Sequence, residues 1–263
     1  MPIIYVLANQ KGGVGKTTTA VNMGACLAYG GQRVLIIDID PQANATSSLG
    51  IDKRAARLST YDLLVRDVPL VQVVQSTARP RLDLIPSSPA LAGATVELVS
   101  LPQREYRLRQ AMQGPSLNER YDYVLIDCPP SLGLLTVNGL TAAADGVIIP
   151  VQCEYLALEG LSQLSRAIEL VRQALNPDLR LRGLVMTLYA SRTTLSRQVI
   201  EEVRRHFPGR VFETIIPRSV RLSEAPSYGE PIISYAPRSA GAVAYAELTR
   251  ELLLSDERLR QSA

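Results

Sequence analysis

The chain reads as an α/β protein built on a single doubly wound, mostly parallel sheet with helices on both faces. Three observations carry that expectation. Short apolar runs alternate with longer helical stretches along the chain, the pattern of repeated strand–helix–strand units. Several runs are apolar at every residue, as strands covered on both faces must be. Two of them end in aspartate shortly before proline, at the strand end where open parallel sheets gather their ligands.

Taken in order, Ile3-Ile4-Tyr5-Val6-Leu7-Ala8 is a β-branched apolar strand near 3–8, and the helix near 16–29 sets Ala20, Met23 and Leu27 toward one face. A second strand near 33–38 is stopped by Pro41, which offers no N–H to a ladder. A helix near 59–66, a strand near 82–86 and helices near 89–99 and 103–113 follow. The strand near 122–127 ends at Pro129-Pro130 and leads to a helix near 133–143. Strands near 146–151 and 182–188 flank a long helix near 157–175. A helix near 195–206, strands near 211–216 and 231–234 and a closing helix near 239–254 complete the alternation. The motifs of one ligand site span residues 9 to 218, and glycine and proline are spread as turn punctuation. The expectation is one domain over residues 1–263, with its core at about 3–252 and a polar tail at 255–263.

Between the first strand and helix lies Asn9-Gln10-Lys11-Gly12-Gly13-Val14-Gly15-Lys16-Thr17-Thr18-Thr19. Strand, glycine loop, helix is the context in which such a segment cradles phosphate. Gly12, Gly13 and Gly15 let the backbone come close to a ligand, and successive N–H groups at the helix start form an anion nest. Lys16 reaches the β/γ-phosphates and the Thr17 hydroxyl completes a Mg²⁺ shell. The chain has three lysines (Lys11, Lys16, Lys53) against 25 arginines, and two of the three lie here. A compact point charge suits phosphate. The first glycine of the usual pattern G-x-x-x-x-G-K-[ST] falls at Gln10, so the segment fits the variant K-G-G-V-G-K-T-T instead.

Asp38, Asp40 and Asp127 would lie beside this cradle, at the carboxyl ends of their strands. Asp127 matches the acid that holds Mg²⁺ through water in P-loop enzymes. Of Asp38 and Asp40, one can assist the metal while the other orients the attacking water. An isolated D-x-D-P could merely cap a loop, but the cradle upstream and Asp127 downstream favour function.

Together, N-Q-K-G-G-V-G-K-T-T-T, D-I-D-P-Q-A-N-A-T, V-L-I-D-C-P-P-S, P-V-Q-C-E-Y-L-A-L-E-G-L and I-P-R-S-V-R-L-S-E-A-P-S-Y-G resemble the ParA/Soj partition ATPases. These belong to the deviant Walker-A P-loop group that also holds the MinD division-site ATPases and the nitrogenase iron protein. The likeness runs in order from Ile3 to about Leu252. It implies an ATPase that uses ATP and Mg²⁺, with ADP as product, and that closes into an ATP-dependent homodimer. The nucleotide-binding segment would be Lys11, Gly12, Gly13, Val14, Gly15, Lys16, Thr17 and Thr18, with Lys11 crossing to the partner's phosphates. Asp40 matches the acid that positions the hydrolytic water, and Thr17, Asp38 and Asp127 the metal side. Pro217 and Arg218 match the loop beside the adenine, and Ser219 stands where relatives often have Asn. Arg192 and Arg221 match arginines implicated in sequence-independent binding of double-stranded DNA. The further partner implied is a centromere-binding protein of ParB/Spo0J type.

The charge distribution supports the same surface. The formal net charge is +3, yet residues 180 to 221 hold nine arginines against Glu201, Glu202 and Glu213, which is +6 in that stretch. A basic stripe is the footprint of phosphate-backbone contact. Part of it, at 201–206, fits Glu–Arg pairing along a helix, whereas Arg192 and Arg221 fall in expected loops without evident acidic partners. The stripe shows no aromatic interleaving of the kind used for base stacking, with only Tyr189, Phe207 and Phe212 falling in it, which argues against sequence-specific recognition.

No stretch has the ~20 apolar residues needed to span a bilayer, and no leader segment is expected before the first strand. Cys26, Cys128 and Cys153 lack metal-ligand spacing and suggest a reduced, cytosolic chain, with Cys128 a small buried hydrophobe rather than a cluster ligand. The single histidine, His206, makes no metal site. The alternative function is a MinD-like membrane-positioning ATPase. That role needs a C-terminal amphipathic helix with basic and bulky apolar residues, while the end here mixes acids with arginines and has no Phe or Trp. The expected location is cytoplasmic and nucleoid-associated, with no membrane partner.

Overall fold

The computed structural model describes residues 1–154 and 157–261, leaving aside the side chains of residues 115, 116 and 159. Seven strands form one sheet: β1 (Ile3–Leu7), β2 (Val34–Asp38), β3 (Gln75–Ser76), β4 (Leu82–Ile85), β5 (Tyr123–Asp127), β6 (Gly146–Gln152) and β7 (Leu181–Thr187). Their spatial order is β3-β4-β2-β5-β1-β6-β7. Every pairing is parallel except the short edge strand β3 on β4.

The helices of the first half are α1 (Lys16–Tyr29), α2 (Asn44–Ser48), α3 (Thr60–Val65), α4 (Leu70–Val73), α5 (Leu91–Val99), α6 (Arg107–Ala111) and α7 (Pro115–Arg120). Those of the second half are α8 (Leu134–Ala142), α9 (Ala157–Ala174), α10 (Thr194–His206), α11 (Val220–Glu224), α12 (Ile232–Tyr235) and α13 (Ala240–Gln261). The start of α3 shows how locally the sequence acts. Ser59 Oγ caps it and the Asp62 carboxylate accepts from the Ser59 N–H at 2.9 Å, a reciprocal capping box.

The all-apolar strands are explained by two cores, one on each face. Val6, Leu35, Ile37, Val124 and Ile126 enter one core with Leu63, Leu98, Leu140 and Val203. Tyr5, Leu7, Val34, Ile36 and Leu125 alternate into the other, against Met23 and Leu27 of α1 and Leu248 and Leu252 of α13. Central strand β1 has β5 on one side and β6 on the other, and the β1–β5 and β2–β5 registers set Leu7, Asp127 and Asp38 at one level. The topology thus delivers the glycine loop and two carboxylates to the carboxyl ends of three central strands.

Three expectations are corrected. Residues 211–216 form no strand, only isolated bridges Leu184–Val211 and Tyr189–Pro217. The amides of Glu213 and Thr214 donate instead to the Glu251 carboxylate of α13, at 2.7 and 3.0 Å, which draws the segment off the ladder. Residues 231–234 fall largely in the short helix α12, because Pro231 opens it and the Ile232 N–H is taken by Asn22 Oδ1 at 2.6 Å. The closing helix does not stop at 254 to leave a polar tail. It runs to Gln261 with Asp256 only 3% exposed, while residues 262 and 263 lie outside the described residues.

Candidate active site

The cradle follows β1 directly. Gly13 and Gly15 adopt φ of +75° and +90°, the left-handed region closed to most side chains. Gly15 caps α1, whose first N–H groups face the loop. The loop is fastened from the far side of the sheet, where Thr187 Oγ1, at the end of β7, donates to the Val14 carbonyl at 2.8 Å. Lys16 is 6% exposed and its ammonium donates to the Lys11 carbonyl at 3.1 Å. Burial lowers its pKa, against the pull of neighbouring Asp127 and Asp40.

The three aspartates have separate surroundings. Thr17 Oγ1 donates to Asp127 Oδ2 at 2.7 Å, while Asp127 Oδ1 is buried with no hydrogen-bond partner among the described residues. Burial, with Asp38 beside it, pushes the Asp127 pKa well above the usual carboxylate range. Asp38 is spoken for by protein donors: Oδ2 accepts from the Thr46 N–H at 2.9 Å and its hydroxyl at 2.7 Å, and Oδ1 from the Asp40 N–H at 3.1 Å. Its pKa rises to about 6 through burial, against those hydrogen bonds. Asp38 therefore braces the loop that carries Asp40. Asp40 Oδ1 accepts the Gln42 N–H at 2.9 Å, and its carbonyl accepts Ser87 Oγ at 2.6 Å.

A cleft of about 490 Å³ opens over these groups, lined among others by Gly12, Gly13, Gly15, Lys16, Thr17, Thr18, Asp40 and Pro217. It offers an anion nest, a buried ammonium, a hydroxyl and the Asp40 carboxylate, groups suited to a triphosphate, while the predicted metal residues Asp38 and Asp127 are fully buried and do not line it. The partnerless Asp127 oxygen beside the Thr17 hydroxyl fits Mg²⁺ held through oxygen or water.

Some sequence-derived candidates stand apart from the lining. Val14 is buried beneath the loop. Lys11 and Arg218 turn to Glu154, at 3.1 and 3.9 Å, rather than into the cleft. Tyr155 and Leu156 of the motif around Glu154 lie outside the described residues. Sequence reasoning missed the wall formed by Asn44, Ser47 and Ser48 of α2, Leu222 and Ser223 of α11, and Pro226. The only local signal for α2 was its place just after Asp40. Cys128 is buried without a disulfide, its sulfur packed where a Cβ on Gly139 would lie 2.8 Å away.

The basic stripe is less uniform than its composition suggested. Arg182 is turned inward, 2.8 Å from the buried Asp256. Arg205 pairs with Glu202 and Arg204 with Glu213. Arg221 is not in an unpaired loop: it lies on α11 and its guanidinium donates to Glu224 at 3.0 Å, because a spacing of three residues puts both on one side of that helix. Arg192 is exposed in the turn before α10, with no ion pair among the described residues.

Comparison with known proteins agrees with this site. Residues 1–181 match the AAA_31 family model, described as an AAA domain. The sporulation initiation inhibitor protein Soj of Bacillus subtilis is 55% identical over 249 residues, 95% of this chain and 97% of that protein. The chromosome partitioning protein ParA of Caulobacter vibrioides is 51% identical over 259 residues, 98% of this chain and 96% of its own length. Among solved structures, cobyrinic acid a,c-diamide synthase from Mycobacterium smegmatis with ADP and magnesium superposes with a TM-score of 0.84 at 42% identity, covering 96% of this chain and 94% of that one. No helix among the described residues is long and apolar enough to cross a membrane. A cleft with the chemistry of a nucleoside triphosphate site and relatives matched over nearly their whole length lead to one assignment: the chain belongs to the ParA/Soj family of Mg²⁺-dependent partition ATPases.

Proposed function

We propose that this ATPase works as a nucleotide-gated DNA clamp. Two copies close face to face around ATP, the closed pair holds double-stranded DNA without sequence preference, and hydrolysis releases it. The observation that carries the reading is the placing of Lys11. It belongs to the cradle loop, yet it lies outside the lining of its own cleft and sits at the rim. A cation in that position serves the phosphates of a second subunit, as an arginine finger does, only once the two have met.

Within each pocket the roles divide by position. The buried Lys16 ammonium exchanges the Lys11 carbonyl for phosphate oxygens. The loop N–H groups of residues 12–18 take the remaining phosphate charge. Thr17 and Asp127 hold the metal side, and bound Mg²⁺ supplies neutralisation of charge developing on the phosphate oxygens. Asp38 keeps the loop in register, and Asp40 orients water toward the terminal phosphate. Pro217, with Arg218 beside it, borders the base.

DNA contact is assigned to Arg192 and Arg221. One such patch binds weakly, while two linked by dimerisation gain avidity of ~10²–10⁴. A ParB/Spo0J-type centromere-binding protein is the partner that accelerates turnover, and the working location is the nucleoid in the cytoplasm. The membrane-positioning alternative draws no support from α13. Asp256 is tied inward to Tyr5 and Arg182, and the exposed last turn mixes Glu257 with Arg258 and Arg260 rather than forming a basic face.

A nucleotide-state series of DNA gel shifts, at two salt concentrations, tests the proposal. ATP-dependent, sequence-independent and steeply salt-sensitive binding is expected. Equal affinity in the apo, ADP and ATP states would remove it.

A further inference from the structure

Glu154, just beyond the end of β6, engages two cations at the rim of the cleft. Its Oε2 lies 3.1 Å from the Lys11 ammonium and its Oε1 lies 3.9 Å from the Arg218 guanidinium. The carboxylate is set in place by its own turn. Gln152 Nε2 donates to Oε1, and the Glu154 N–H donates to the Gln152 carbonyl at 2.8 Å. Lys11 is set in place as well. Its N–H donates to Asn9 Oδ1 at 3.0 Å, and Asn9 Nδ2 donates to the Pro150 carbonyl of β6 at 2.8 Å. Both partners therefore hang from the end of one strand, so their meeting costs less side-chain ordering than an ordinary surface pair.

We propose that Glu154 is a positioning residue that holds Lys11 in its own subunit until nucleotide and a second subunit draw it away. This rests on the reading that Lys11 acts in the partner's pocket. The Lys16 ammonium donates to the Lys11 carbonyl at 3.1 Å. Phosphate takes that ammonium over and so removes one of the ties on Lys11. Arg218 gives the second half of the device. When Lys11 leaves, the Glu154 carboxylate keeps a cation within reach instead of being left uncompensated.

The magnitude suits a latch. Lys11 and Glu154 side chains are 39% and 46% exposed, and an exposed pair of this kind biases an equilibrium by up to about fivefold, about threefold for a pair held as this one is. Two latches open per dimer, so together they shift the dimerisation constant by roughly tenfold. That is enough to keep a dilute protein monomeric without preventing closure.

The test is sedimentation equilibrium with Mg²⁺ and a non-hydrolysable ATP analogue on wild type, Glu154→Gln, Lys11→Gln and the double variant, each checked for fold by thermal unfolding. Glu154→Gln should tighten the dimer roughly tenfold and reduce its dependence on salt. The same substitution should change nothing in the Lys11→Gln background. Unchanged or weaker dimerisation of Glu154→Gln overturns the latch. Dimerisation of Lys11→Gln at wild-type strength overturns the underlying role of Lys11 instead, whatever Glu154→Gln does. If the Gln variant fails to fold, Glu154→Asp withdraws the carboxylate by one methylene and should shift the dimer in the same direction; no shift, or a weaker dimer, counts against the latch.

Discussion

The Thr17 hydroxyl and the Asp127 carboxylate meet at 2.7 Å, and the other oxygen of that buried carboxylate has no hydrogen-bond partner among the described residues. In the proposed function these are the groups that would hold the metal side of the nucleotide. The cost falls on the apo protein. With its pKa raised by burial, Asp127 binds a proton more tightly folded than unfolded. The stability it lends the fold is complete below the ordinary carboxylate pKa of about 3.9 and is lost as pH rises toward the raised folded value. Asp127→Asn should therefore stabilise the apo protein by about 1–3 kcal/mol at pH 8 and by less at pH 5. Hydrolysis should fall about 10–100-fold. Thermal unfolding at the two pH values and phosphate release check both, and a stabilisation equal at both pH values would contradict the argument.

Asp40 differs because its backbone does the structural holding. Its carbonyl accepts Ser87 Oγ at 2.6 Å and the Ala43 N–H at 2.8 Å. Removing the carboxylate should leave the loop in place. Asp40→Ala should bind an ATP analogue within about threefold of wild type and lose about 10²–10⁴ in turnover. Wild-type phosphate release would take Asp40 out of the mechanism.

Gly12 needs no exemption from a side chain within one subunit. A Cβ there would lie 3.9 Å from Pro130 Cβ, ordinary contact, and its φ is not among the positive ones. Gly24 is the contrast, since a Cβ there would lie 2.8 Å from Ile36 Cδ1. Gly12→Val should fold and bind nucleotide but dimerise at least about tenfold more weakly, because the added bulk stands where the second subunit approaches. Gly24→Val should lose stability instead, by about 1–3 kcal/mol. Melting curves and sedimentation separate the two outcomes.

Asp256 closes the far end of the molecule. It accepts from Tyr5 of β1 at 2.6 Å, Tyr123 of β5 at 3.0 Å and Arg182 of β7 at 2.8 Å. Asp256→Ala leaves Arg182, itself 10% exposed at the side chain, with an uncompensated charge. Urea unfolding should show a loss of about 3–5 kcal/mol. A loss under about 1 kcal/mol would mean that Arg182 finds water.

What was legible in the sequence divides by range. The cradle could be read because strand, glycines, lysine and hydroxyl are contiguous, and the aspartates because each ends an apolar run before proline. Asn44, Ser47 and Ser48 were not, since only the fold brings α2 over the phosphate loop. Residues 231–234 looked like a strand by their β-branched content, but Asn22, 210 residues away, decides their backbone. The polar tail was a misreading with a usable signal. Tyr245, Leu248, Leu252 and Asp256 fall at helical spacing, which sets Asp256 on the buried face of α13. Arg182 was counted as surface charge because nothing local points to a partner 74 residues on.

Arg192 and Arg221 were paired by resemblance, and their surroundings now separate them. Arg192 is exposed with no carboxylate at ion-pair distance among the described residues, whereas Arg221 shares Glu224 Oε2 with the Tyr235 hydroxyl, which donates at 3.1 Å. A charge already answered by a neighbour gives less to a phosphate. Arg192→Glu should weaken ATP-dependent DNA binding by more than about tenfold and lower the salt slope by about 0.9 for each phosphate it no longer neutralises. Arg221→Glu should cost less, and Glu224→Gln, which takes the carboxylate from Arg221 and leaves it Tyr235, should strengthen binding about twofold to threefold. All three should retain ATP-driven dimerisation. Filter binding across a salt series reads the order directly, and wild-type affinity in Arg192→Glu would place the DNA surface on another face of the molecule.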